Sequence, residues 1–282
     1  MKYLYINGDS FCGDKIKEGR TFGDLLGQKY NLEVKHEWRS GSSNHRIYRT
    51  TIDFIMNNKS KLHDYLFLIG WTKPTRFELY DTIHQRYIAM GHTNFYRMMR
   101  GEDTQFLSEI NRPSWEKDLK LSDEFKKEYI TKFVDFDNML KEHMRRVYSL
   151  ECILKANNCK YLFYNIFNDT YRRGVIRKVV MGIKSLLDRD TLLVTKVHRY
   201  GEREKEEKEK EEEVSGNYLW NNANELFDWE NWILPDSSFD EYLVGYSQRS
   251  VRRSMGDDHP NELGHRIWYQ VVRKKINSMN IS

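Results

Sequence analysis

Short apolar stretches with the spacing of β-strands recur along the chain. The segment 2–7 (KYLYIN) alternates and is rich in β-forming residues, and 31–38 (NLEVKHEW) alternates as well. The continuous apolar run 65–70 (YLFLIG) is typical of a strand that is buried on both faces. The apolar runs 160–167 (KYLFYNIF) and 191–197 (TLLVTKV) predict two further strands.

In most segments between these strands, apolar residues recur with the spacing of an α-helix. The longest apolar stripe runs from Phe125 to Cys152 and follows Ser122, which suits an N-cap. Shorter helices are predicted over 21–30, 44–58 and 172–187, and from Pro260 onwards. Strands that alternate with helices predict an α/β fold, a three-layer α/β/α sandwich around a mostly parallel sheet.

Two segments depart from this alternation. Residues 71–121 show no clear period and are predicted to form an insertion over one end of the sheet. Residues 201–216 (GEREKEEKEKEEEVSG) predict a charged loop of low complexity. A length of 282 residues suits one domain with a sizeable core. We therefore predict a single domain over 1–282 that carries these two additions.

Composition and charge exclude several classes of protein. The 46 basic and 42 acidic residues are spread along the chain, so the net charge of +4 indicates no nucleic-acid face. Three cysteines without CxxC spacing predict neither a disulfide framework nor a zinc site. We find no targeting segment and no apolar stretch of membrane length, which predicts a cytoplasmic protein without a membrane partner. No cofactor and no metal are expected, and the oligomeric state stays open.

Residues with catalytic potential follow the ends of the predicted strands. Ser10 follows the first strand, Gly41 and Asn44 follow the second, and Thr72 follows the third. His259 lies in the loop before the last predicted helix. Because ligands of a parallel sheet gather at the carboxyl ends of its strands, these side chains are expected to converge on one edge.

A serine hydroxyl needs an adjacent base to act as a nucleophile at neutral pH. His259 is the natural candidate, because the N-terminus of a helix favours a neutral imidazole. Asp257 or Asp258 would orient the ring; Asp257 is preferred, because an adjacent residue has difficulty folding back onto the ring. The N–H groups of Ser10 and Gly41 are candidates for an oxyanion hole.

These residues resemble the sequence blocks of the SGNH (GDSL) hydrolases, in which Ser, Gly, Asn and His follow in that chain order. The first block matches as GDS at 8–10, the second loosely as SGS at 40–42, and the last as HPNELGH at 259–265. The resemblance spans essentially the whole chain. It implies an SGNH fold and a serine esterase that acts on an ester or O-acetyl group through a Ser-His-Asp triad.

The third block departs from the family pattern. The family has Gly-x-Asn-Asp, whereas this chain has GWTK at 70–73, so that Thr72 stands where the asparagine is expected. Either Thr72 or Asn44 would then supply the third oxyanion donor. Loss of one such donor raises the barrier by about 3–4 kcal/mol. The triad acid also departs from the family pattern. In the family it usually lies three residues before the histidine, and that position here is Gly256.

Two classes of function follow from these matches. The first is an esterase whose substrate is a small ester or an acylated carbohydrate. The second is a non-catalytic protein of SGNH fold that binds glycans or belongs to a virion, since GWTKPTR at 70–76 also resembles SGNH-type proteins of tailed bacteriophages. Arg76 and Arg97 are weaker candidates for contact with an anionic substrate, because most surface arginines have no such role. His265 is interpreted as structural.

Overall fold

A computed structural model describes residues 1–13, 16–17, 19–74, 76–81, 86–90, 136–167, 227–246, 251–254 and 257–279. Its strands are β1 (Tyr3–Asn7), β2 (Glu33–His36), β3 (Tyr65–Trp71), β4 (Phe77–Asp81), β5 (Arg86–Met90), β6 (Lys160–Asn165), β7 (Trp232–Ser238), β8 (Arg252–Ser254) and β9 (Asp257–Pro260). Its α-helices are α1 (Phe22–Tyr30), α2 (Asn44–Asn57), α3 (Phe136–Ala156), α4 (Phe239–Val244) and α5 (Glu262–Ser278).

Five of these strands form one sheet in the order β2-β1-β3-β6-β7. Every neighbouring pair in it is parallel. Helices α1, α4 and α5 contribute to the core on one face of the sheet, and α2 and α3 contribute to the core on the other face. The predicted three-layer α/β fold with a mostly parallel sheet is therefore confirmed.

The central strands have a core on each side. In β1, Leu4 and Ile6 point into one core and Tyr5 into the other. All seven residues of β3 are buried. A strand in this position needs apolar side chains on both faces, which explains the continuous apolar run in the sequence.

The last helix begins later than predicted. Pro260 is the final residue of β9, and α5 starts at Glu262. Asn261 is the N-cap, because its side chain accepts a hydrogen bond from the N–H of Gly264 at 3.0 Å. The predicted helix start at Pro260 was therefore two residues early, and His259 lies on a strand rather than in a loop.

Three other features differ from the prediction. Strand β7 was not predicted as a strand, and residues 77–90 contain the antiparallel pair β4–β5 where no period was visible. Cys152 is exposed, so the apolar face of α3 does not extend to it. The predicted elements over 172–187 and 191–197 and the charged segment 201–216 lie outside the described residues. None of the described helices combines the length and the apolar character that crossing a membrane requires.

Candidate active site

Ser10 lies in a tight turn directly after β1. Asp9 caps the 3₁₀ turn Ser10–Cys12, and its Oδ1 accepts the N–H of Phe11 at 2.9 Å. Asn7 holds Gly8, the residue before Asp9, because its Oδ1 accepts the N–H of Gly8 at 2.9 Å. Ser10 is only 5% exposed. The end of β1 therefore fixes the serine in a nearly buried position.

His259 reaches this turn from the other end of the chain. Its Nε2 lies 2.7 Å from the Oγ of Ser10, within hydrogen-bond distance. The ring centroid of Phe11 lies 5.3 Å from that of the imidazole and forms part of its surroundings. The structure thus brings the predicted nucleophile and the predicted base together.

A small hairpin carries His259. Strands β8 and β9 pair antiparallel, and Arg252 lies opposite Pro260. The N–H of Asn261 donates to the carbonyl of Val251 at 2.9 Å, and its Nδ2 donates to the carbonyl of Arg252 at 3.0 Å. The residue that caps α5 therefore also holds the hairpin closed.

Asp257 and Asp258, the two candidates for the acid, lie on the same strand as His259. The backbone of Asp257 pairs with Ser254. The side chains of both aspartates lie outside the described residues. The choice of Asp257 stays a prediction.

Two backbone N–H groups were predicted to form an oxyanion hole. The N–H of Ser10 begins the 3₁₀ turn and has no hydrogen-bond acceptor among the described residues. Gly41 has φ of 72° in a turn that the N–H of Ser42 closes by donating to the carbonyl of Arg39 at 3.1 Å. The N–H of Arg39 donates to the carbonyl of Gly8 at 3.3 Å, which brings this turn against the loop of Ser10.

The side chains of Thr72 and Asn44, predicted as alternative third donors, already have partners. The hydroxyl of Thr72 donates to Oδ2 of Asp9 at 3.0 Å. The amide of Asn44 donates to the carbonyl of Thr72 at 2.9 Å and accepts its N–H at 2.8 Å. Both residues are buried. Asn44 thus ties the start of α2 to the end of β3, and Thr72 ties β3 to Asp9.

Sequence reasoning missed how Arg76 meets this cluster. Its Nη1 donates to Oδ2 of Asp9 at 2.5 Å and to Oγ1 of Thr72 at 2.8 Å. Asp9 is fully buried, so the guanidinium balances a charge that water cannot reach. A signal for Asp9 was available, because an aspartate between a strand and a helical turn is typical of an N-cap. No sequence pattern indicated that Arg76 would contact the second carboxylate oxygen of Asp9.

Two other titratable groups near the turn are structural. Cys12 has its Sγ 3.1 Å from the hydroxyl of Tyr164, and burial raises the pKa of this thiol well above its usual range. His265 is buried, accepts the N–H of Phe22 at 3.3 Å, and has its pKa lowered to about 3 by burial. The described part of the chain contains no group of three or more side chains suited to hold a metal ion.

No family model and no curated protein matches the chain. Among solved structures, it is similar to TesA at 11% identity over 98% of this chain and 99% of that chain, with a TM-score of 0.47. It is similar to the psychrotrophic esterase EstA from Pseudoalteromonas sp. at 11% identity, with coverage of 99% and 98% and a TM-score of 0.45. It is also similar to the lipase Lip_vut3 from a goat rumen metagenome at 16% identity, with coverage of 98% and 97% and a TM-score of 0.41.

Proposed function

We propose that this protein is a serine hydrolase of the SGNH type that cleaves an ester or O-acetyl group. The contact of 2.7 Å between Ser10 and His259, which are 249 positions apart, carries the proposal. The GDS and HPNELGH segments around these two residues support it, because they resemble the first and last blocks of that family. A serine paired with an imidazole base is the arrangement that nucleophilic acyl transfer requires.

In this mechanism the Oγ of Ser10 attacks the carbonyl carbon of the ester, and Nε2 of His259 takes the hydroxyl proton. The carbonyl oxygen becomes an oxyanion, which the N–H groups of Ser10 and Gly41 stabilise. His259 returns the proton to the leaving alcohol, and an acyl-enzyme remains. Water, deprotonated by His259, then releases the acid. Asp257 orients the imidazole and stabilises its charged form.

The substrate we propose is a small acyl ester or an acylated carbohydrate. Support comes from the exposure of Ser10, which is only 5% and suits a short acyl group better than a bulky one. The limited access of water to a nearly buried serine also strengthens each hydrogen bond to the oxyanion.

The second candidate is a non-catalytic protein of SGNH fold that binds glycans or belongs to a virion. One observation favours it. The side chains of Thr72 and Asn44 are engaged with Asp9 and with the backbone of Thr72, so two predicted oxyanion donors already have other roles. Such a protein would keep the fold and bind an acylated glycan without turnover.

Hydrolysis of p-nitrophenyl acetate by the wild type and by Ser10→Ala distinguishes the two candidates. We expect the substitution to lower kcat/KM by about 10³-fold or more, because it removes the nucleophile. Ser60→Ala is the matched control, since Ser60 is exposed and precedes β3 at the opposite edge of the sheet. Equal rates for wild type and Ser10→Ala would refute the hydrolase. Assays with acetylated sugars and short acyl esters then define the substrate.

A further inference from the structure

Three buried or nearly buried polar side chains meet beside the serine turn. They are Asp9, Thr72 and Arg76, joined by contacts of 2.5, 2.8 and 3.0 Å. Asp9 directly precedes Ser10 in the chain and caps its turn. The pair of Ser10 and His259 uses none of the three, so the cluster needs an explanation of its own.

The cluster orients the guanidinium of Arg76 before any substrate arrives. Nη1 has two acceptors, Oδ2 of Asp9 and Oγ1 of Thr72, which fix the plane of the group. The Cζ of Arg76 also lies 5.1 Å from the centre of the Phe167 ring, a distance suited to a cation–π contact. Phe167 in turn packs against Phe11, the neighbour of Ser10, with ring centroids 4.7 Å apart.

The guanidinium of Arg76 has further N–H donors besides those on Nη1. Arginine has five N–H donors, and within the described ranges Nε and Nη2 of Arg76 have no hydrogen-bond acceptor. The side chain is only 12% exposed, so water screens its charge weakly. Asp9 neutralises the resting charge and directly precedes Ser10, so the guanidinium that keeps these donors is anchored one residue from the serine.

We propose that Arg76 supplies the third, charged donor to the oxyanion that forms when Ser10 attacks its ester. The inference rests on the proposed function. It assigns to Arg76 the role of third donor, because the side-chain donors of Thr72 and Asn44 are already engaged. Thr72 and Asp9 act as positioning residues, because they hold the guanidinium through Nη1. A donor held in this way needs no reorganisation during the reaction, which is the condition for efficient oxyanion stabilisation.

The rate of labelling by a neutral alkyl fluorophosphonate tests this role. In that reaction the Oγ–P bond forms, the P–F bond breaks, fluoride leaves and the serine proton passes to His259. The phosphoryl oxygen gains negative charge where the ester oxyanion would lie. Intact mass after timed labelling gives the rate constant, and loss of the added mass in Ser10→Ala identifies the labelled residue.

Three variants are compared with the wild type. Arg76→Gln is expected to label about 100-fold more slowly, in line with the loss of one oxyanion donor. The double variant D9N/R76Q removes the buried charge of Asp9 together with that of its partner, so that no unpaired buried charge destabilises the fold. We expect it to be labelled as slowly as Arg76→Gln. Arg49→Gln breaks the ion pair of another arginine with the buried Glu78 and is expected to label at the wild-type rate.

Labelling of either folded Arg76 variant within threefold of the wild-type rate would overturn the role of Arg76 and leave the hydrolase standing. A folded wild type that is not labelled at Ser10 would overturn both proposals. Slow labelling of Arg76→Gln and D9N/R76Q, with unchanged thermal midpoints for the double variant and normal labelling of Arg49→Gln, would support the inference.

Discussion

The two members of the Ser10–His259 pair are held by different kinds of structure. Ser10 follows β1, a central strand with parallel neighbours on both sides and a core on each face. His259 is on β9, one strand of a separate two-stranded sheet, and is partly exposed. The position of the proposed nucleophile therefore depends on the whole core, whereas that of the proposed base depends on a few local contacts. Changes at the hairpin of His259 should therefore lower activity more than equally destabilising changes elsewhere in the chain.

The largest effect is expected from removal of the base itself. His259→Gln should lower kcat on p-nitrophenyl acetate by about 10³-fold, because proton transfer from Ser10 loses its acceptor. The thermal midpoint should change little, since the side chain is partly exposed on a peripheral strand. A variant with wild-type kcat would show that His259 is not the base.

The next effect concerns the contact between the hairpin and α5. In Gly264→Ala the new Cβ would lie 2.7 Å from the carbonyl oxygen of Val251 and 2.9 Å from Cβ of Pro260, so helix and hairpin must separate. We expect a loss of about 1–3 kcal/mol in the free energy of unfolding and a kcat that falls about tenfold.

Gly245→Ala is the matched control for this substitution. Its Cβ would meet nothing closer than the carbonyl oxygen of Tyr242 at 3.6 Å, and its φ of −63° suits any residue. Denaturant unfolding and ester kinetics of the two variants check the prediction. Equal behaviour of both would show that close packing at Gly264 does not position His259.

A pH-dependent effect on stability is expected from His265, which anchors α5 to α1. Its pKa is about 3 in the folded chain because of burial, against 6.5 for the free side chain, so the unfolded chain binds the proton more readily. The stability due to the neutral ring is present above pH 6.5 and is lost as the pH falls towards 3. Its slope is about 1.4 kcal/mol per pH unit.

Unfolding by urea at several pH values checks this prediction. Between pH 6 and 4, the free energy of unfolding of His265→Gln should fall less steeply than that of the wild type, by about 1.4 kcal/mol per pH unit. A His265→Gln curve that runs parallel to the wild type would contradict the buried, neutral ring.

The smallest effect compares two helix caps. Asn261→Ala and Thr21→Ala each remove an N-cap and should each cost about 1 kcal/mol of stability. Only Asn261 also holds the hairpin of His259 through Arg252, so only its loss should lower kcat, by a few-fold. Unfolding and kinetic measurements on both variants test the difference, and equal kcat values would mean that the cap does not position the base.

Local patterns were sufficient for the three middle strands of the five-stranded sheet. Strands β1, β3 and β6 were predicted to within two residues. Alternation and β-forming residues indicated β1, and the apolar runs of β3 and β6 are typical of strands buried on both faces. Strand β7 was missed, since it contains Pro235, places Leu234 at φ of 49° and pairs irregularly with β6. Such a strand depends on its neighbour more than on its own pattern.

The candidate site was predictable only where residue types carried the chemistry. Ser10 and His259 were paired through the motifs around them, although no local pattern indicated that they lie close together in space. The contact of Arg76 with Asp9 and Thr72 was not predicted, because it depends on how the loop after β3 folds back over the end of β1. The acid beside His259 stays a prediction, with Asp257 preferred over Asp258.

The separation of 249 positions between Ser10 and His259 has a consequence during protein synthesis. The ribosome adds the histidine only after 248 further residues have followed the serine. A growing chain can order β1 and the serine turn long before the base exists. Shortened products that end before β9 would then be inactive even where their sheet is formed. The chain would acquire its reactivity only when the hairpin and α5 close over a sheet that is already in place.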